Sequence, residues 1–372
     1  MRIGIDAVPF AYESAGVGRY LSNILEEMQA LAPATEFLLY SPMPIAVPMC
    51  SGNCRLRVVS AGLSRRPSIW AQVVLPDALA ADRVDAYWSQ PTNLPIAARH
   101  RCFRVLTVHD LVPYVKPESM RFWAWLRMRL MLGLEARAAD VVVADSHSTA
   151  SQVHRYLGVG SDRMRVVYAA APSWCRPVPR REAKDVVEGE LGLTRDYILC
   201  VSTIEPRKDH LTLLRAIESV PEAPQLVLAG GTGWKSRRIL ERIQDHEKSG
   251  RVRYVGRVDD GLLPALYSGA MFSVYPSTYE GFGLPVLESM ACGCPVLSSD
   301  SSSLPEVGGD AARYFHAGDA MSLSEGLRRL LGSISELSLM AEAGLVRARL
   351  FSYRRAAEEV LQVIREGLGW QT

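Results

Sequence analysis

Short β-branched runs alternate with longer amphipathic stretches along nearly the whole chain, and this rhythm limits the fold more than any other feature. The runs of the first half are residues 2–8, 36–41, 55–60, 84–89, 104–109, 140–145 and 164–168. Those of the second half are 197–203, 225–230, 251–256, 271–276, 294–298 and 312–315. Helical spacing separates several of them: between Gly18 and Leu31, for instance, Leu21, Ile24, Leu25 and Met28 share one face. Strand–helix alternation calls for parallel sheets covered on both faces. It occurs twice, so the expected class is α/β with two doubly wound, Rossmann-like domains. At 372 residues the chain is long for one core and suits two. Three prolines between Ala171 and Arg180 stop regular structure and mark the boundary. The expected division is a first domain over 1–172, a linker over 173–180, a second domain over 181–351, and a terminal amphipathic segment over 352–372.

Composition narrows the classes. The formal net charge is +2 with both signs dispersed, which does not point to nucleic acid as a partner. The seven cysteines include two close pairs, Cys50/Cys54 and Cys292/Cys294, without a histidine at zinc-finger spacing. An odd count, and an opening that reads as a strand and not a signal peptide, lead to the expectation of reduced thiols in the cytoplasm. Charges interrupt every apolar stretch before it could span a bilayer.

In open α/β sheets ligands bind at the carboxyl ends of the strands. That directs the search to the loops after Val8, His109, Asp145, Thr203, Gly230, Gly256 and Pro276. After the run 197–203 comes Ile204-Glu-Pro-Arg-Lys-Asp-His210 and then a helix-spaced segment. Arg207 and Lys208 thus stand at a strand end and a helix start, where N–H groups and the helix dipole favour phosphate. Taken alone, the plainer reading is a solvated basic pair. Pro276-Ser-Thr-Tyr-Glu-Gly-Phe-Gly-Leu-Pro-Val-Leu-Glu288 places Glu280 on a glycine loop and Glu288 in the helix that Pro285 starts. Two acids framing such a loop suit a sugar and a ribose joined by phosphates; helix solvation is the plainer alternative. Ser14-Ala-Gly-Val-Gly-Arg-Tyr20 follows the first strand, and Gly16 and Gly18 permit close approach of a ligand or simply turn the chain. His109 ends a strand, and its neighbour Asp110 is placed to fix its tautomer or to cap the next turn. Residues 121–134 are basic, aromatic and apolar, and read better as a core helix with a basic outer face than as a membrane contact. Asp259 and Asp260 read as a loop and helix cap, not as metal ligands.

Together these elements resemble the retaining GT-B glycosyltransferases of family 4, and among them the bacterial GDP-mannose-dependent mannosyltransferases. The resemblance runs through Gly16-Val-Gly-Arg-Tyr20, His109-Asp-Leu-Val-Pro113, Asp145-Ser146, Glu205-Pro-Arg-Lys-Asp209, Leu228-Ala-Gly-Gly-Thr-Gly-Trp234 and Tyr254-Val-Gly-Arg-Val258. It is strongest from Tyr275 to Asp310, with Glu280 and Glu288 as its most specific pair. It implies two Rossmann-like domains facing each other across a cleft, with the last helix returning to the first domain. It further implies that Arg207 and Lys208 hold a donor diphosphate beside Thr203, and that Glu280 and the backbone of Gly281, Phe282, Gly283 and Leu284 meet the donor sugar. Glu288 would bind the ribose, Val258 would lie beside the base, and Gly16 and Gly18 would close over the phosphates. His109 would face the transferred sugar. Two departures stand out: Asp209 where Asn is usual, and Val167-Tyr-Ala-Ala-Ala171 where a turn with Asn-Gly is usual.

The implied reaction is transfer of a hexose, mannose from GDP-mannose, to a saccharide or lipid-linked saccharide in bacterial polysaccharide synthesis. No metal or other cofactor is expected. Retention is expected through attack on the face that the phosphate leaves, with a two-step route left open. The expected location is the cytoplasm, with peripheral contact at the inner face of the membrane. Other donors (UDP-glucose, UDP-N-acetylglucosamine, GDP-rhamnose), a nucleotide-sugar epimerase of the same fold, and a non-catalytic scaffold stand as alternatives.

Overall fold

In the computed structural model, residues 1–11, 15–47, 52–60, 62, 63, 66–97 and 102–370 are described. Cys50 and Ser14 lie outside them. The contacts divide the chain into two compact units. The first comprises 1–114, 122–169 and 352–372; the second comprises 115–121 and 170–351. The proline-rich stretch 173–180 is therefore counted with the second unit, and a short piece of the first half joins it as well.

The first unit is built on seven parallel strands: β1 (Arg2–Asp6), β2 (Glu36–Ser41), β3 (Cys54–Val58), β4 (Ala86–Ser89), β5 (Phe103–Val108), β6 (Val141–Ala144) and β7 (Met164–Val166), in the order β3-β2-β1-β4-β5-β6-β7. The strand order reverses between β1 and β4, which pair directly with Ile5 beside Trp88. Central strands are apolar on both faces because helices cover both; Ile3, Ile5, Leu39, Trp88, Val105 and Val142 are fully buried. The indole N–H of Trp88 donates to Thr107 Oγ1 at 2.8 Å, so its polar atom costs nothing in the core. The helix Ala15–Leu31 packs against the last helix, Tyr353–Gly367. The latter buries Ala357, Val360, Leu361 and Ile364 and is capped by Ser352.

The second unit carries β8 (Tyr197–Val201), β9 (Gln225–Ala229), β10 (Val252–Gly256), β11 (Phe272–Tyr275), β12 (Val296–Ser299) and β13 (Ala312–Phe315) in the order β10-β9-β8-β11-β12-β13. One apolar cluster joins Leu213, Leu214, Ile217, Leu323 and Leu327 to the sheet. Another joins Ala183, Val187, Leu263 and Leu266 to it. Here the order reverses between β8 and β11. Every run read as a strand in the sequence is a strand, each within a few residues of its expected limits. No helix among the described residues is long and apolar enough to cross a membrane.

Candidate active site

The loops that leave β8 and β11 emerge side by side at the reversal point of the second sheet, where ligands of such sheets bind. They bring together the residues that the sequence had set far apart. Pro206–Lys208 forms a tight 3-10 turn, and the helix His210–Glu218 follows. Asp209 takes a left-handed conformation (φ 48°) and its carboxylate accepts from Thr212 N, capping that helix. The acid that departs from the usual Asn thus serves as the cap.

Glu280 is the centre of the cluster. Arg207 Nη1 donates to its Oε2 at 2.9 Å, Lys208 Nζ donates to Oε1, and Ser277 Oγ donates to Oε1 at 2.7 Å. Lys208 and Glu280 are 7% and 9% exposed. Burial alone would raise this carboxyl, yet Lys208 and Arg207 hold it at about 2. The other edge of Arg207 pairs with Glu205 at 2.6 Å. The loop itself is tied down by serines: Glu280 N donates to Ser302 Oγ at 2.8 Å, and Ser303 Oγ donates to the Glu280 carbonyl at 3.0 Å. His210 stays neutral beside this charge, because burial and then Lys208 push it down to about 3; its Nε2 contacts Ser202 Oγ at 3.0 Å.

Glu288 lies in the helix Leu284–Ala291, buried, and accepts from Tyr267 Oη at 3.1 Å. Gly281, Phe282 and Gly283 are buried on the loop before it, Leu284 opens the helix, and Gly283 (φ 112°) stands at its cap without a side-chain hydrogen bond. Thr203 is exposed just past the end of β8. Gly230, at φ 146°, lets the end of β9 approach this region: a Cβ there would lie 2.1 Å from the Ser202 carbonyl oxygen. The Val258 side chain packs into the apolar core with Val227 and Leu263. Asp259 lies just before the helix Leu263–Gly269, and its carbonyl accepts from the N–H of Leu262, the residue at the helix start.

In the first unit, Val108 of β5 lies in register with Ala144 of β6. The next residue of each strand is therefore adjacent: His109 Nδ1 bonds Asp145 Oδ2 at 2.6 Å, and His109 Nε2 bonds Gln90 Oε1 at 2.6 Å. Asp110 is not the histidine's partner; its Oδ1 accepts from Val112 N at 3.1 Å and caps the following turn. Burial opposes charge on His109, but Asp145 and then Asp110 raise its pKa above 6.5. The Asp145 carboxylate can only accept, so Nδ1 carries the proton that it shares with Asp145. Tyr20 packs edge-on against the ring at 4.9 Å.

Gly16 and Gly18 lie in the first turn of the helix Ala15–Leu31, not in a loop, and a Cβ on Gly16 would meet nothing within 4 Å. A cavity of about 260 Å³ adjoins His109, lined by Val8, Val17, Gln90, Asn93, Met128 and Leu132 among others. The 90–94 segment on its wall follows β4 and was absent from the loops chosen by sequence, because it carries no charge or glycine pattern. The helix Phe122–Ala138 buries Leu132, Glu135 and Ala136. Its exposed residues include Phe122, Trp123, Leu130 and Leu134 as well as Arg127, Arg129 and Arg137. The outer face, expected to be basic, is therefore apolar as well as basic.

Residues 183–344 match the family described as Glycosyl transferases group 1, and residues 14–171 match Glycosyltransferase Family 4. The chain is 29% identical to the O-antigen chain mannosyltransferase B of Escherichia coli, over 97% of this chain and 98% of that protein. Among solved structures it is similar to sucrose-phosphate synthase from Thermosynechococcus elongatus, with a TM-score of 0.80, 21% identity, and 98% of each chain covered. It is also similar to the Anabaena protein HepE in complex with UDP and glucose, with a TM-score of 0.76, 17% identity, and coverage of 98% of this chain and 99% of that one. These likenesses establish the GT-B fold.

Proposed function

Because this chain belongs to the group 1 and family 4 glycosyltransferases, we propose that it moves mannose from GDP-mannose to a saccharide or lipid-linked saccharide. The observation that carries this reading is the cluster of Arg207, Lys208 and Glu280 at the reversal point of the second sheet. Two cations on the turn after β8 there meet an ionised acid on the serine-braced loop after β11. Departure of a nucleoside diphosphate places negative charge on a phosphate, and preorganised Arg and Lys groups stabilise such charge strongly at a partly dry site. Arg207, Lys208 and Thr203 are assigned to the diphosphate. Glu280, low enough in pKa to remain ionised, accepts from sugar hydroxyls together with the 281–284 backbone.

Glu288 is assigned to the ribose, Val258 to the neighbourhood of the base, and Gly16 and Gly18 to the phosphates. His109, held by Asp145 and Gln90, is assigned to the transferred sugar. With Arg207 and Lys208 meeting the charge, the reading needs no metal. The acceptor hydroxyl attacks the face from which the phosphate leaves, and a phosphate oxygen takes its proton. The name of the Escherichia coli relative supports mannose as the sugar. The basic and apolar exposure of the helix Phe122–Ala138 supports a cytoplasmic protein held at the membrane surface, near a lipid-linked acceptor.

The test is thermal stabilisation by GDP, GDP-mannose, UDP and UDP-glucose. A ligand at 100 times its dissociation constant adds about 2.7 kcal/mol, which is roughly 5–10 °C for a unit of this size. Guanine nucleotides alone should shift the transition. Uridine nucleotides alone would overturn the donor, and no shift with any of the four would overturn the transfer reading.

A further inference from the structure

The segment that follows β4 takes a strained path. Thr92 is a β-branched residue at φ 76°, a region that such residues avoid. Two fully buried acids hold the segment there. Glu135, from the helix Phe122–Ala138, accepts from Thr92 N at 2.7 Å and from Leu94 N at 3.0 Å. Asp6, the last residue of β1, accepts from Asn93 Nδ2 at 3.0 Å, from Gln90 N at 3.4 Å and from Val8 N at 3.0 Å. Neither acid has an ion-pair partner among the described residues. Burial raises Glu135 to about 8 and Asp6 to about 6, against the pull of these N–H donors. Two uncompensated carboxyl groups are a costly way to fill a core. What they accomplish is to fix one short segment from both sides.

That segment presents unused hydrogen-bonding atoms beside the His109 cavity. Gln90 spends its oxygen on His109 and Asn93 spends its nitrogen on Asp6; among the described residues, Gln90 Nε2 and Asn93 Oδ1 have no hydrogen-bond partner. Both residues are buried and line the cavity, whose wall also carries the apolar side chains of Val17, Met128 and Leu132. One amide donor and one amide acceptor beside methyl and methylene groups match a pyranose, which has a hydroxyl edge and a C–H face. We infer that Asp6 and Glu135 are positioning residues, clamping the 90–94 segment so that Gln90 and Asn93 meet the hydroxyls of a pyranose in this cavity. The identity of that ligand rests on the transfer reading above; the clamp does not.

The experiment compares wild type, Glu135→Gln and Glu135→Gln/Thr92→Gly by amide hydrogen exchange and by NMR titration with methyl α-mannopyranoside, with GDP as a second probe. Glutamine turns an N–H₂ toward one of the two backbone donors. Exchange at Thr92 and Leu94 should quicken by about tenfold or more, and the pyranoside should bind about tenfold more weakly, while GDP affinity stays within about twofold. Glycine at 92 adopts φ 76° without strain, so the double variant should regain most of the pyranoside affinity. Unchanged exchange at both amides would overturn the clamp, and faster exchange with unchanged pyranoside binding would overturn its purpose. Should Glu135→Gln not fold, Gln90→Ala and Asn93→Ala decide the matter, since unchanged pyranoside affinity in both overturns the inference. A wild type that binds the pyranoside but no nucleotide would refute the transfer reading and leave this one standing.

Discussion

The sharpest energetic test is replacement of Glu280 by glutamine. The folded protein holds this carboxyl at about 2 against an ordinary 4.5, because Lys208 and Arg207 outweigh its burial. At about 1.4 kcal/mol per unit this corresponds to about 3 kcal/mol of stability. The folded pKa is depressed, so that stability is fully present above pH 4.5 and is lost as pH falls from there toward 2. Glu280→Gln should therefore cost about 3 kcal/mol at pH 7 and remove the corresponding slope below pH 4.5. The loss falls mainly on Lys208, since Arg207 keeps Glu205 at 2.6 Å. Lysine left buried without its partner is the costly species. Adding Lys208→Met removes that charge, so the double variant should recover much of the stability that Glu280→Gln loses. Urea unfolding of the four proteins, followed at the transition of the second unit, gives the coupling energy as the non-additive part. A coupling under about 0.5 kcal/mol would refute the reasoning, because the two groups would then act independently.

Two further outcomes are expected. In NMR titration the His109 ring should have its midpoint above 6.5 in the wild type and below it in Asp145→Asn, where burial goes largely unopposed. A raised folded pKa stabilises below 6.5 and ceases to do so as pH rises through the folded value, so Asp145→Asn should lose more stability at pH 6 than at pH 9; an equal loss at both would refute the assignment. The protein should sediment with phosphatidylglycerol vesicles in a salt-sensitive way. A Phe122→Ala/Trp123→Ala variant should sediment less, and equal sedimentation of both proteins would remove the helix Phe122–Ala138 from the membrane proposal.

The sheets were legible because central parallel strands are buried on both faces, so their sequences are nearly unbroken apolar runs such as Val141–Ala144. Arg207, Lys208 and Glu280 were legible as ligand-edge residues, but their mutual pairing was not. It arises because β8 and β11 are neighbours in the sheet and 71 residues lie between Lys208 and Glu280. Asp145 as the partner of His109 follows from the register of β5 and β6, which no local pattern encodes. For Asp110, one residue from His109, the sequence left open a tautomer-fixing role and a capping one, and the carboxylate takes the second, accepting from Val112 N. Ser302 and Ser303 bind the loop through common residue types, and Asp6 and Glu135 look like ordinary surface acids until the fold encloses them. The helix Phe122–Ala138 misled because its apolar residues are distributed all round, which leaves periodicity no means of telling the covered side from the open one.

A ribosome delivers this polypeptide from one end, and domains ordinarily fold in the order they emerge. Here that order is nested. The first unit lacks a piece of its own core until the second unit has been made entirely, because Val360, Leu361 and Ile364 arrive only after it. During synthesis the surface along Ala15–Leu31 that these side chains cover waits exposed to water, while the later-made sheet is free to finish first. Translation that stops shortly after Phe351 would thus leave an intact second half joined to a first half that cannot close.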